Sequence, residues 1–418
     1  MGVPSREGHN LRRSQPMTLW AERTTAERVK ILRGRAVTQE ALAEKSGVSL
    51  GTIRKLEQGG NLSLPSLLKV AVGLGTDVSV ILGQQSPRRG MELDERAALR
   101  AVSAAVHDTG LGIGTDVEPG SLDDLRDAAR RADAAFWSAR YVELGAILSR
   151  LLPEAWALYD AAGPDRRGAA GGVLADAFQT AAVMANVLGA RDLGYTAITH
   201  GRNVAERIGD DLRSAHLMAS LSWICLRDGH TAKGVHVAER AAATVEPRMS
   251  DSDPDRLSVY GQLVTNAAVA ASRGGAKADT ARDYLSQAHA VAARLGREHA
   301  RGDQGQPFGP SYAATQAMSV AMALGDTSAA VRLIQTTRLH PEMPLATRAR
   351  FHLDVALTRT ETRQWEAAAA ALKEACRMAP TWVRHQALPG VITDRIADVS
   401  VSMARSAAQA AGVPLVIR

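Results

Sequence analysis

Apolar residues along this chain recur at three- and four-residue spacings from residue 26 almost to the end, the period of amphipathic α-helices. Alternating β-branched runs flanked by turn residues, the mark of strands, are almost absent. The pattern predicts an all-α protein, and it also divides the chain. Residues 1–24 are polar and aperiodic and read as a disordered basic arm, with Met17 as an alternative start. Compact helical periodicity fills residues 25–83, in "AERVKILRG" (26–34), "TQEALAEKSGVSLGTIRKLEQG" (38–59), "SLPSLLKVAVGLG" (63–75) and "DVSVILG" (77–83), enough for five short helices. Residues 84–120 read as a linker holding one short helix at 92–107, with "GQQSPRRG" (83–90) before it and the loop "DTGLGIGTDVEPGS" (108–121) after it. Residues 121–418 form the larger helical part.

In that part the amphipathic stretches are interrupted at "ARY" (139–141), "GAR" (189–191), "DGH" (228–230), "GGA" (274–276), "GDT" (325–327) and "TRQ" (362–364). The interruptions stand 37 to 51 residues apart, room for two helices per repeat. Repeats of this length predict a solenoid of five or six TPR-like hairpins. The first helix of each is Ala-rich, as in "SYAATQAMSVAMALG" (311–325), so neighbours approach closely. The second is more charged, as in "WEAAAAALKEACRMA" (365–379). One hairpin cannot bury its apolar face alone, and stacking supplies the core.

Residues 38–59 carry the sharpest positional signal. Leu42 faces a core, and Ala43 is small where a second helix must cross it. Gly47, four residues on, suits a left-handed turn that a Cβ would disfavour. Val48, Ile53 and Leu56 anchor the second helix, while Thr38 and Ser49 stand as N-caps with Thr52 behind Ser49. This is the spacing of a helix-turn-helix that reads DNA. A plain hairpin with a glycine in its turn would need longer helices than these.

The segment "VTQEALAEKSGVSLGTIRKLEQG" resembles the Xre-type family of helix-turn-helix regulators, and the resemblance spans residues 26–83. It implies a repressor-type five-helix domain, double-stranded DNA as partner, and a recognition helix near Ser49–Gln58 in the major groove. Gln39 would touch the phosphate backbone. Ser49, Leu50, Gly51 and Lys55 would face bases, with Thr52 and Arg54 flanking them. Leu50 suits a thymine methyl, Gly51 a close backbone approach, Lys55 a guanine and Arg54 a phosphate. The plain alternative for Arg54 and Lys55 is a solvated helix face. Glu57 is expected to pair with a cation of the first helix such as Arg33. One short recognition helix gives little specificity, which implies a homodimer on paired half-sites about 34 Å apart.

The segments "QPFGPSYAATQAMSVAMALGD" (306–326) and "WVRHQALPGVITDRIADV" (382–399) resemble, more loosely, the C-terminal region of actinobacterial Xre-type regulators with TPR-like repeats. The architecture is also similar to peptide-responsive TPR regulators of Gram-positive bacteria, whose inner-helix asparagines bind the peptide backbone. By residue type that implies Asn186, Asn203 and Asn266. Tyr260, Gln262 and Asn266, with Tyr312 and Gln316, would form a polar-aromatic pocket floor for a small-molecule or peptide effector. Half-buried core aromatics are the alternative for Tyr260 and Tyr312. Phe308 reads as a loop anchor, and Trp223, Trp365 and Trp382 as packing residues at repeat junctions.

Composition narrows the function further. Of the net charge of +6, residues 1–83 carry +5, which favours an acidic partner at that end. No apolar run is long enough for a membrane span and no export signal opens the chain, so a cytoplasmic protein is expected. Cys225 and Cys376 lie far apart in apolar patterns and read as small buried hydrophobes. His200, His216, His230 and His236 lack metal-ligand spacing, and no nucleophile elbow or P-loop is present; the G-x-G of residues 110–112 has no strand before it. Glu143, Asp160 and Asp283 fall on ordinary charged faces. The expectation is a non-enzymatic transcriptional regulator without metal or cofactor. Its C-terminal part would dimerise and sense an effector; the alternative is a TPR-type interaction scaffold tethered to DNA.

Overall fold

The computed structural model describes residues 23–34, 36–76, 78–82, 91–113, 116–274, 278–303, 305–341 and 343–413. The expected basic arm, up to residue 22, and the linker stretch 83–90 lie outside the described residues. Every regular element among the described residues is helical; a single antiparallel bridge pairs His299 with Phe308.

The first five helices are α1 (Thr25–Arg33), α2 (Gln39–Ser46), α3 (Leu50–Glu57), α4 (Leu64–Gly73) and α5 (Val78–Ile81). They are short and depend on their caps and on one shared core. Thr24 and Glu27 form a capping box on α1, Thr38 caps α2, and Pro65 stands in the first turn of α4. Val29, Leu42, Ile53, Leu56, Leu67, Val70 and Ile81 make the core. The buried Arg28 donates to the Ile81 carbonyl at 2.8 Å and ties the first helix to the last.

α6 (Leu93–Leu111) is longer than the helix expected at 92–107. Val102, Val106 and Thr109 are fully buried as α6 packs on the hairpin array, and this burial carries the helix through four residues that read as loop. The array itself comprises α7 (Leu122–Trp137) with α8 (Tyr141–Ala161), α9 (Pro164–Val187) with α10 (Arg191–Arg207), and α11 (Asp211–Arg227) with α12 (Thr231–Val245). It continues with α13 (Pro254–Arg273) and α14 (Ala278–Leu295), α15 (Pro310–Leu324) and α16 (Thr327–Thr336), and α17 (Leu345–Glu361) and α18 (Trp365–Met378). Each of the six expected interruptions falls between the two members of a pair. α19 (Pro380–Arg384), α20 (Leu388–Ala397) and α21 (Val401–Ala411) complete the described chain. The odd-numbered helices from α7 to α17 pack one on the next as an inner layer.

Two features turn this stack into a closed body. Its ends meet: Arg384 pairs with Glu92 at 2.8 Å and Glu95 at 3.1 Å, and the His385 ring lies 5.8 Å from that of Tyr141. The segment between α14 and α15 also crosses the interior. It is pinned by Phe308, which is wholly buried and fills the space that a Cβ on Gly261 would occupy. The five-helix head is seated on this body. Leu64, Leu68 and Leu82 join a core cluster with Ala321 and Met322, Arg395 donates to the Leu62 carbonyl at 3.0 Å, and Asn61 bonds Asp398.

Candidate functional site

Two places carry concentrated polar chemistry, the outer face of α3 and the interior of the array. At α3 the turn is made by Gly47 with φ of 58°, and Ala43 is buried beneath the crossing. Ser49 caps α3 by accepting from the Thr52 N–H at 3.1 Å, and its hydroxyl also meets the Thr52 hydroxyl at 2.9 Å. Ile53, Leu56 and Glu57 are buried, while Gly51, Arg54 and Lys55 are exposed and Leu50 and Thr52 half-buried. Of the residues expected to meet bases, Ser49, Gly51 and Lys55 therefore point away from the head's core, whereas Leu50 packs partly against it.

Glu57 receives Arg33 at 2.6 and 3.2 Å and the amide of Gln39 at 2.7 Å. Burial raises its pKa, but the hydrogen bonds from Arg33 and Gln39 outweigh it, and the carboxyl is held below the usual range. The Gln39 amide, expected on a phosphate, spends one N–H on this carboxylate and keeps the other. Arg54 lies 3.5 Å from Glu40, an exposed pair worth little in stability, so its charge stays available at the surface.

The interior cavity has a volume of about 220 Å³ and is walled by the inner helices. At one end Asp176 accepts from Arg301 at 2.6 Å and Arg213 at 3.0 Å, and Arg301 Nε donates to His216 Nδ1 at 3.1 Å. Burial raises the Asp176 pKa, but the Arg301 and Arg213 charges outweigh it and keep it low. Burial, with Arg301 adding to it, drives His216 down to about 3, so its imidazole is neutral and free to accept. Asp133 accepts from the Gly305 N–H at 3.0 Å and the Trp137 indole at 3.1 Å, and burial pushes it up to about 6. At the other end Arg273 and Arg350 both donate to Ser319 Oγ, at 3.2 and 3.0 Å. There Arg227 bonds Gln386 at 3.2 Å and lies 5.6 Å from the Trp223 ring centroid.

Of the effector residues expected from sequence, Gln262, Asn266, Tyr312 and Gln316 line this cavity. Asn186 and Tyr260 do not. Asn186 is sealed in the core near the end of α9, and Tyr260 sits two positions, about 200° of helix, from Gln262 and packs against a core cluster instead. Asn203 is exposed on α10, an outer helix, and the Asn266 amide donates to the Ala219 carbonyl at 2.9 Å, so no asparagine ladder faces the interior. Trp223 and Trp382, expected only to pack, also line the cavity, whereas Trp365 packs without reaching it. Asp133, Asp176, His216 and the four arginines were not singled out as site residues. They lie on separate helices, and no spacing in the sequence joins them.

Residues 30–81 match a family model described as Helix-turn-helix, covering most of the head. No curated protein matches the chain. The match supports a DNA-binding regulator of transcription with DNA as its partner. Among the described residues no helix is long and apolar enough to cross a membrane.

Proposed function

We propose that the chain is a sequence-specific, Xre-type transcriptional regulator acting in the cytoplasm. In this reading α3 enters the major groove of double-stranded DNA. Ser49, Leu50, Gly51 and Lys55 meet base edges, and Thr52, Arg54 and Gln39 hold the register on the backbone. The hairpin array is TPR-like, dimerises the chain so that two heads meet paired half-sites, and senses a small molecule or peptide in its interior. The reading gives the chain no catalytic role and no cofactor. The observation that carries it is the outward face of α3, where Gly51, Arg54 and Lys55 are exposed above the buried Ile53 and Leu56.

Regulation then acts through the seat between head and body. α4 packs on α15, which also supplies Tyr312 and Gln316 to the cavity wall. An effector shifts the heads only insofar as it binds the seated and released arrangements with different affinity.

The test is fluorescence anisotropy on DNA from the region upstream of the protein's own gene, at two salt concentrations. Wild type is expected to bind tightly and lose affinity as salt rises. Lys55→Ala, at an exposed position, should cost about 1–3 kcal/mol of binding with the fold intact. A folded wild type that binds this DNA no better than an unrelated duplex would sink the reading.

A further inference from the structure

We infer that the interior takes a small protonated amine with a flat apolar body, its ammonium group on the free oxygen of Asp133 and its body against the aromatic wall. This names the effector class of the sensing site proposed above and rests on that reading.

The unspent hydrogen-bonding capacity of the cavity wall points one way. Asp133 accepts both the Gly305 N–H and the Trp137 indole on one oxygen, Oδ1. Its Oδ2 has no partner among the described residues and is not sealed from the cavity that the residue lines. The neighbouring amides are oriented by what they face. Gln179 donates to the His216 carbonyl at 3.2 Å and to Ser220 Oγ at 2.9 Å, Asn266 to the Ala219 carbonyl at 2.9 Å, and Gln262 to the Gln306 carbonyl. A backbone carbonyl only accepts, so each amide nitrogen is fixed toward the wall and each side-chain oxygen is left over. These three oxygens also have no partner among the described residues and are not sealed. Four spare acceptors suit a ligand that donates several hydrogen bonds, and an ammonium group donates up to three.

The four side chains form one group. Asp133 and Gln262 hold consecutive residues of the crossing segment, Gly305 and Gln306. Gln179 and Asn266 hold consecutive residues of α11, Ser220 and Ala219, and Gln262 and Asn266 stand one turn apart on α13.

Charge agrees with this polarity. Around the group Asp176 is shared by Arg301 and Arg213, and Arg213 also pairs with Asp210. Asp133 has no cation among the described residues, so this end carries one carboxylate more than its guanidinium groups answer. Burial pushes Asp133 up to about 6, the Asp176 charge adds to the rise, and no cation opposes it. His216 is neutral and supplies no charge. The remaining arginines are occupied and distant. Arg350 pairs with Asp354 at 3.1 Å, Arg227 bonds Gln386, and Arg273 lies three turns, about 16 Å, along α13 from Gln262. An ammonium group at Asp133 Oδ2 completes a pair that the protein itself leaves half made.

Size and walls set the body of the ligand. At about 220 Å³ the cavity lies under the roughly 300–1,000 Å³ of pockets for drug-sized ligands, too small for a run of peptide. Phe136, Trp137, Trp223, Tyr312 and Trp382 all line it, in a chain that is only 4% aromatic. A flat apolar body fits that surface better than a sugar or an extended polyamine would. The anchor is also placed to be felt outside, because Asp133 holds the segment that runs into α15, and α15 packs on α4 of the head.

The test is isothermal titration calorimetry on the full-length protein at about pH 7.5, where Asp133 is ionised, with three matched probes. These are 2-phenylethylamine, the neutral 2-phenylethanol and the anionic 3-phenylpropanoate. The amine should bind at one site per chain, at least about tenfold tighter than the alcohol, and the propanoate no tighter than the alcohol. Asp133→Asn keeps the acceptor for Gly305 and Trp137 and replaces the free oxygen with an amide. It should remove that tenfold preference and leave the alcohol unchanged, with circular dichroism checking the fold. The contrast among probes on wild type stands even where the variant does not fold. Equal binding of amine and alcohol, or tightest binding of the propanoate, overturns the ammonium site. A preference that survives Asp133→Asn overturns the anchor, and binding of none of the three overturns the ligand class. Anisotropy on the upstream DNA runs alongside. Intact DNA binding without amine binding removes this inference alone, and amine binding without DNA binding removes the regulator reading alone.

Discussion

The head and the hairpin array are both built of short-looped helices, leucine-rich in the head and alanine-rich in the array, and turn their polar groups in opposite directions. In the head, α3 keeps one carboxylate inside, Glu57, and turns Arg54 and Lys55 outward. The array turns Asp133, Asp176, His216 and four arginines inward around a cavity and leaves ordinary charged faces outside. A surface meant for a large polyanion can be built on one helix, because the partner supplies the other wall. A surface for a small ligand, the role proposed for this cavity, must supply its own walls, and here six inner helices, α19 and a crossing segment line it. The first kind of site is local in sequence and the second is not.

The largest effect expected from breaking the array's side of this comparison is at Phe308. The ring is wholly buried against Gly261 and anchors the crossing segment. Phe308→Ala should cost about 3–5 kcal/mol in urea unfolding. Below the new transition, DNA binding by the head should persist. An equal loss of DNA binding would mean that head and body act as one unit rather than two.

Next in size is the contrast in pH response. Glu57 has its pKa lowered in the fold, so its contribution is present above the unfolded carboxylate value and is lost as pH falls through the depressed one. Glu57→Gln should therefore destabilise the head by about 2 kcal/mol at neutral pH and by progressively less in acid. Asp133 is raised to about 6, so its contribution is present below the unfolded value and is lost as pH rises through 6. Asp133→Asn, whose Oδ1 can still accept from Gly305 and Trp137, should stabilise the protein by about 1–2 kcal/mol at pH 7 and hardly at all at pH 4. Melting curves across pH should show opposite slopes for the two differences. Parallel slopes would mean that Asp133 is better solvated than its setting implies.

The same contrast explains what could be read from the sequence. Thr38, Ala43, Gly47, Ser49, Ile53 and Leu56 are constrained by a turn and two caps within one short stretch, so each announces its role by its neighbours. The hairpin breaks were legible for the same reason. Glu57 with Arg33 needed only one helix of lookahead, and the structure pairs them at 2.6 Å. By contrast, Arg301 meets Asp176 across 125 residues of chain, and Arg227 meets Gln386 across 159. No periodicity links such partners; only the closing of the stack brings them together. Asn186 and Tyr260 show the converse error. Their residue types suited a pocket, but their phase on α9 and α13 turned them away from it. The extra turn of α6 was hidden because Gly110, which read as loop, is carried along by the burial of Val106 and Thr109.

The smallest expected effect is the most direct probe of the head's side. Gly51 lies in the first turn of α3 at an ordinary helical φ, and a Cβ built there would meet nothing nearer than Ser49 Oγ at 3.7 Å. Nothing inside the protein asks for glycine at this position, and glycine in a helix costs up to about 1 kcal/mol relative to alanine. Gly51→Ala should therefore raise the stability of the head by roughly 0.5 kcal/mol, less than the full difference because the site is so near the helix start. If α3 seats its backbone against base edges, the added methyl intrudes on that contact, and DNA affinity should fall several-fold while the melting temperature rises. Stability and binding moving in opposite directions is the signature of a residue kept for an outside partner. A variant that gains stability and binds DNA as before would instead place the reading surface further along α3, around Arg54 and Lys55.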